Sequence, residues 1–155
     1  VVVCYPKRTA KPLYEGLVTQ LDALGISVLA ELPAGLDGTF DVVLDAIFGF
    51  SFKGDVRPPF DTILAALSAA TVPIASVDIP SGWNVNTGPP QSGPALRPRM
   101  LISLTAPKLC AKSFQGAHFL GGRFVPPKIA SDYKLVLPKY PGVSMHVKIS
   151  DGAAP

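Results

Sequence analysis

The sequence predicts an α/β fold built on a mostly parallel sheet, with helices covering both faces. Two observations lead there. Short, continuous, β-branched apolar runs alternate with segments whose apolar residues recur at helical spacing. Two of the runs, Val42-Val43-Leu44 and Pro73-Ile74-Ala75-Ser76-Val77, each end at a carboxylate, Asp45 and Asp78, and a Gly- or Pro-containing loop follows. Right-handed crossovers bring such strand ends to one edge of the sheet. Ligands of open α/β sheets bind outside the carboxyl ends of the strands, so the two acids mark a candidate site.

The elements follow in order. Val1–Tyr5 reads as a buried strand that Pro6 stops. Pro12 suits a helix first turn, and Leu13, Leu17, Val18, Leu21 and Leu24 build one apolar stripe, with Gly25 placed to end it. Ile26–Leu29 is a second strand, and the stretch from Pro33 to Thr39 is a loop. Asp41–Ile47 is a third strand. Phe60, Ile63, Leu64 and Leu67 carry a helix after Pro58-Pro59, and Val72–Asp78 is a fourth strand. Trp83–Arg99 is rich in Pro, Gly, Asn and Ser and reads as a surface loop. Met100–Thr105 is a fifth strand, followed by a short helix within Lys112–Gly116 and a turn at Gly121-Gly122. Pro126 opens a short helix. Tyr133–Leu137 reads as a strand and the remainder as a proline-broken tail, so the domain is placed at residues 1–143 and the tail at 144–155.

With 155 residues the chain fits a single domain, and nearly half of them are apolar, enough for a full core. A net charge of +3 without a basic tract does not support nucleic-acid binding. No apolar run approaches the ~20 residues that span a bilayer. Cys4 and Cys110 are too few for a disulfide framework and read as reduced thiols near the core. His118 and His146 have no partner at ligand spacing, which argues against zinc. A Gly-x-Ser-x-Gly elbow is missing, which argues against nucleophilic hydrolysis. The chain opens at Val1 inside an apolar run, so its start reads as a cut and no targeting segment is legible.

Asp45 sits where a carboxylate can bind a cation, orient a hydroxyl or cap a helix, but no helical pattern begins directly after it. The loop Gly49-Phe50-Ser51-Phe52-Lys53-Gly54-Asp55 has glycines that let backbone amides approach an anion, with Lys53 and Arg57 adding charge. It matches neither a P-loop nor a GxGxxG turn. Its phenylalanines either pack on the core or offer a flat wall to a ring ligand. Asp78 precedes Ile79-Pro80-Ser81-Gly82, a tight turn that holds the Ser81 hydroxyl near the carboxylate. Lys108, at the end of the fifth strand, and Arg123, after Gly121-Gly122, either reach the same edge or are solvated side chains, and the solvated reading is preferred.

Five stretches then carry a resemblance. Tyr5-Pro6-Lys7-Arg8, the segment Asp45 through Arg57, Val72 through Trp83, Leu101-Ile-Ser-Leu-Thr-Ala-Pro-Lys108 and Leu120 through Pro127 occur in order across nearly the whole chain. Together they resemble the YjeF N-terminal domain, the NAD(P)H-hydrate epimerase family. They look most like its eukaryotic branch, that of the apolipoprotein A-I-binding protein.

The resemblance implies a Rossmann-like three-layer α/β/α sandwich, a homodimer, and epimerisation at C6 of the hydrated nicotinamide ring of NADH or NADPH. A partner NAD(P)H-hydrate dehydratase then repairs the S form. It implies a potassium ion held by Asp45 and Ser81, and substrate contacts from Gly49, Phe50, Ser51, Phe52, Lys53, Gly54, Asp55 and Asp78. Asp78 and Lys53 are the expected acid–base pair. Apolipoprotein A-I is an implied partner, and cytoplasm, mitochondrion or plastid are the expected compartments. The family also carries an Asn-Asn-Gly-Gly-Asp-Gly phosphate loop, a first helix and a first strand upstream of its Tyr-Pro-Lys-Arg segment. This sequence lacks them, so a longer native protein is expected; taken alone, the chain is expected to be short of half the site and a central strand, which exposes unpaired backbone and apolar surface. A non-catalytic binding domain and a regulatory domain of a fused enzyme stay open as alternatives.

Overall fold

The computed structural model describes residues 1–150. Strand β1 (Val2–Cys4) leads to helix α1 (Pro12–Ala23) and strand β2 (Ser27–Leu29). A short turn, α2 (Leu36–Thr39), precedes strand β3 (Val43–Asp45), helix α3 (Phe60–Ala69) and strand β4 (Ile74–Val77). Strand β5 (Met100–Leu104), a 3-10 turn at Leu109–Ser113, strand β6 (Ala117–Gly121), helix α4 (Pro127–Asp132) and strand β7 (His146–Ser150) complete the order.

β3, β4, β5 and β6 pair parallel in that order, and β7 adds to β6 antiparallel. β1 and β2 form a separate parallel pair. The architecture is a mixed α/β fold with a mostly parallel central sheet, as expected. β1 and β3 do not pair. Between them lies an apolar cleft of about 520 Å³, lined by Val1 through Tyr5 on one side and Val42 through Ile47 on the other.

The main core joins Ile63, Leu64 and Leu67 of α3 to Val72, Ile74, Leu36 and Leu96. Ile79, Trp83 and Cys110 form a second cluster under Phe114. The Trp83–Arg99 segment is therefore not a plain surface loop. Leu96 is 1% exposed, and its carbonyl accepts a hydrogen bond from the Trp83 indole at 3.1 Å. Asp37 ties the α2 turn to the start of β4 by accepting from the Thr71 and Val72 amides, both at 2.8 Å. Those bonds hold its carboxyl below the ordinary carboxylate range.

Two further sequence expectations are corrected. Tyr133–Leu137 is not a strand. Helix α4 ends in a Schellman motif, with Lys134 at φ 52 and its amide bonded to the Ser131 carbonyl. The Leu135 amide bonds back to the Ala130 carbonyl at 2.8 Å, and both donors are taken by the helix end. The segment placed in the tail instead contains β7, which covers the edge of β6 through the register Phe119 to Lys148 and Gly121 to His146. Residues 151–155 of that tail lie outside the described residues.

The stripe of α1 forms, and Gly25 ends the helix at φ +68, but only Val18 and Leu21 of the stripe are half-buried. Leu13 and Leu24 are 71% and 72% exposed. Among the described residues no helix is long and apolar enough to cross a membrane.

Candidate functional site

Asp45 ends β3 and pairs in register with Ser76 of β4, so the two acids of the sequence pattern come from adjacent parallel strands. Asp45 is 1% exposed, and its carboxylate is fully occupied by neighbouring donors. Oδ2 accepts from the Ser76 hydroxyl at 2.7 Å and from the Ser81 amide at 2.9 Å. Oδ1 accepts from the Ser81 hydroxyl at 2.5 Å and, more weakly, from the Ile47 amide at 3.4 Å. A buried carboxylate requires such donors.

The loop after β3 is stitched to the end of β4 by alternate amides. The Phe48 N–H donates to Ser81 Oγ at 3.0 Å, and the Phe50 N–H donates to Asp78 Oδ2 at 2.8 Å. Asp78 adopts φ 72, a left-handed conformation that costs a non-glycine residue free energy. Thr105, at the end of β5, does the same at φ 68. Two strained strand ends thus meet at this edge. Gly49 permits the approach, because a Cβ there would lie 2.8 Å from Asp78 Oδ2.

The other oxygen of Asp78 is met by Lys108. Its ammonium donates to Asp78 Oδ1 and, at 2.8 Å, to the Leu104 carbonyl. The side chains are only 17% and 11% exposed, so this is a sheltered ion pair and not the solvated lysine expected. The ammonium also lies 5.8 Å from the centre of the Phe50 ring.

The phenylalanines divide between the two expected roles. Phe48 stacks on Phe52 at 4.3 Å and meets Phe60 edge-on at 5.2 Å, so these rings pack inward. Phe50 is 64% exposed beside Asp78 and Lys108 and forms a wall. Lys53, Gly54 and Asp55 lie apart. They line a recess of about 430 Å³ with Asp61, Trp83 and Thr87, and Asp78 is not among its walls. Among the described residues no ion pair joins Lys53 to Asp78. Ser51 is exposed at the loop's tip. Arg123 is structural: it donates to the Gly142 carbonyl at 2.6 Å and sits by Tyr140.

The profile of the family described as YjeF-related protein N-terminus matches residues 1–110. The chain belongs to that family. It is 56% identical, over 95% of its length, to pyridoxine/pyridoxamine 5′-phosphate oxidase 1, chloroplastic, of Arabidopsis thaliana, and covers 30% of that protein. It is 49% identical, over 95% of its length, to the NAD(P)H-hydrate epimerase of Sclerotinia sclerotiorum and covers 62% of it. The crystal structure of yeast ynu0 superposes with a TM-score of 0.87 at 37% identity, covering 96% of this chain and 65% of that one. The chain thus spans less than two thirds of each of these proteins.

In this YjeF-related domain, sequence reasoning missed two contributors to the edge and ranked a third, Lys108, as solvated. Ser76 was read only as part of an apolar strand. The amides of Phe48 and Phe50 carry no sequence signal. Lys108 had one, since it follows the fifth strand as Asp45 and Asp78 follow the third and fourth. Cys4 and Cys110 are free, and burial pushes both thiols up, which suits inert residues. Among the described residues, no cluster of three His, Cys, Asp or Glu side chains is built to hold a metal.

Proposed function

We propose that this chain carries the epimerase centre for hydrated NADH or NADPH, interconverting the R and S forms at C6 of the nicotinamide ring. The observation that carries the reading is the strand-end edge. There, a strained Asp78 is held by the Phe50 amide and the Lys108 ammonium beside an exposed aromatic wall. The 49% identity to a fungal protein named NAD(P)H-hydrate epimerase, over 95% of the chain, supports it.

The chemistry asks for little. The lone pair on N1 forms an N1=C6 bond as the C6–O pair departs with the hydroxyl oxygen. That oxygen takes up a proton and leaves as water. Water then adds to the opposite face, the π pair returns to N1, and the proton is given back. Nothing is gained or lost except the configuration at C6. The carboxylate of Asp78 offers negative charge next to the cationic ring, and Phe50 offers a flat surface to it. Asp78→Asn is expected to lower kcat by about 10²-fold or more with a much smaller change in hydrate binding. Equal losses of both would reduce Asp78 to a binding residue.

The proposal includes a potassium ion at Asp45 and Ser81. Their carboxylate and hydroxyl oxygens are the donors a hard cation prefers. As folded, the pair is satisfied by protein donors, and two side-chain oxygens make only part of a shell. Asp45 and Ser81 would join a larger oxygen set only once the Ser76 and Ser81 hydroxyls turn their protons away from the carboxylate, and such an ion would then pin the loop after β3 to the turn after β4. Thermal melts in potassium and in lithium chloride check this, with a higher Tm expected in potassium.

The product class implies a partner reaction, a dehydratase that consumes the S hydrate. One observation favours a wider setting. The chain covers 30% of an Arabidopsis protein named for pyridoxine phosphate oxidation, so the same centre fits a module joined to a second enzyme. Sequencing the full transcript decides between these settings without changing the assignment of the site.

A further inference from the structure

We propose that Lys108 is the proton carrier of this centre, giving its proton to the departing hydroxyl and recovering it from the water that returns. The inference rests on the epimerase reading and goes beyond it. Three observations converge on this residue. The ammonium is sheltered, with the side chain 17% exposed, and yet it borders the aromatic wall of Phe50 at 5.8 Å. Two of its contacts, Asp78 Oδ1 and the Leu104 carbonyl, fix where it points. An ammonium has three N–H donors, so one proton is left to face a ligand at this edge. The strained backbone of Thr105, at φ 68, turns the chain directly after β5, and Lys108 follows three residues on.

The proton balance closes on this one side chain. Lys108 as ammonium protonates the C6 hydroxyl, and the C–O pair leaves with it as water. The positive charge moves from lysine to the N1=C6 iminium, and Asp78 remains a carboxylate beside it throughout. When water adds to the other face, the neutral amine takes the released proton and the ammonium returns. Lys53 is placed worse for this, being exposed in a separate recess away from Asp78.

The test measures hydrate epimerisation by the parent and two variants. Lys108→Ala is expected to lower kcat by about 10²–10⁴-fold, the span of a lost general acid, with KM within about threefold. Added ethylamine is expected to recover part of that rate. Lys108→Arg keeps the charge beside Asp78 but holds its proton too tightly to give it up. Its kcat is likewise expected to fall by about 10²–10⁴-fold from the parent. The arginine protein gives an answer even if the alanine protein does not fold. Parental kcat in either variant, or equal losses of kcat and binding, would overturn the proton role. A parent that does not turn over would instead sink the epimerase reading, and the proposal with it.

Discussion

Asp45 is a buried carboxylate on which three hydrogen-bond donors of Ser76 and Ser81 depend. A buried donor left without its acceptor costs about 1–3 kcal/mol, and Asp45→Ala strands the Ser76 hydroxyl together with the amide and hydroxyl of Ser81. The expected loss is at least about 3 kcal/mol, against about 1 kcal/mol for Ser76→Ala, read from urea unfolding of each variant. If both variants unfold alike, the network is not what holds this edge. Gly49→Ala drives a methyl group against the Asp78 carboxylate, 2.8 Å from Oδ2. It is expected to lower kcat at an intact Tm, checked by pairing the assay with a melt. The two acids were legible because strand ends followed by Gly- and Pro-containing turns leave a pattern, but the turn's Ser81 hydroxyl bonds Asp45 and not Asp78. The place of Lys108 at a strand end was legible too, but its pairing with Asp78 was not, because the two lie 30 residues apart and only the β4–β5 register brings them together.

At the scale of elements, strands β1 to β5 and helices α1, α3 and α4 follow from period and punctuation. The sequence failed where a local competitor won. The run Tyr-Lys-Leu-Val-Leu at 133–137 has strand composition, but the Schellman end of α4 takes its first amides. β7 hides in a proline-broken region because an edge strand needs only a partner, which β6 provides. Between β5 and β6 lies a polar pair with a consequence for pH. His118 is 6% exposed, its ring nitrogen lies 2.9 Å from the Ser103 hydroxyl, and burial holds its pKa below the ordinary value of 6.5. Below about pH 6.5 the unfolded chain binds a proton that the folded chain does not. Stability therefore falls as pH falls from 6.5 to the lowered folded value, then levels off with respect to this group. Urea melts across that range are expected to show the slope in the parent and lose it in His118→Gln.

The molecule as a whole divides into a well-buried half and an apolar, open half. α3 and strands β4 to β6 hold most of the core. α1 has no buried residue, and the cleft between β1 and β3 leaves Val42 and Leu44 56% and 63% exposed. Patches of this kind promote association in water. The 155-residue chain is expected to bind a hydrophobic dye and to self-associate at micromolar concentration in sedimentation runs. A clean monomer without dye binding would show that the cleft closes in solution.

The edge built by Asp45, Asp78, Ser81 and Lys108 sits where the buried half meets the cleft, since Asp45 ends the strand that lines it. The most direct measurement starts from the pure R hydrate of NADPH, with potassium present and an S-specific dehydratase as the coupling enzyme. Conversion by this chain is expected well above the spontaneous rate, with loss of that conversion in Asp78→Asn. A folded parent that leaves the R hydrate at its spontaneous rate, or an Asp78→Asn protein that matches an active parent, would contradict that expectation.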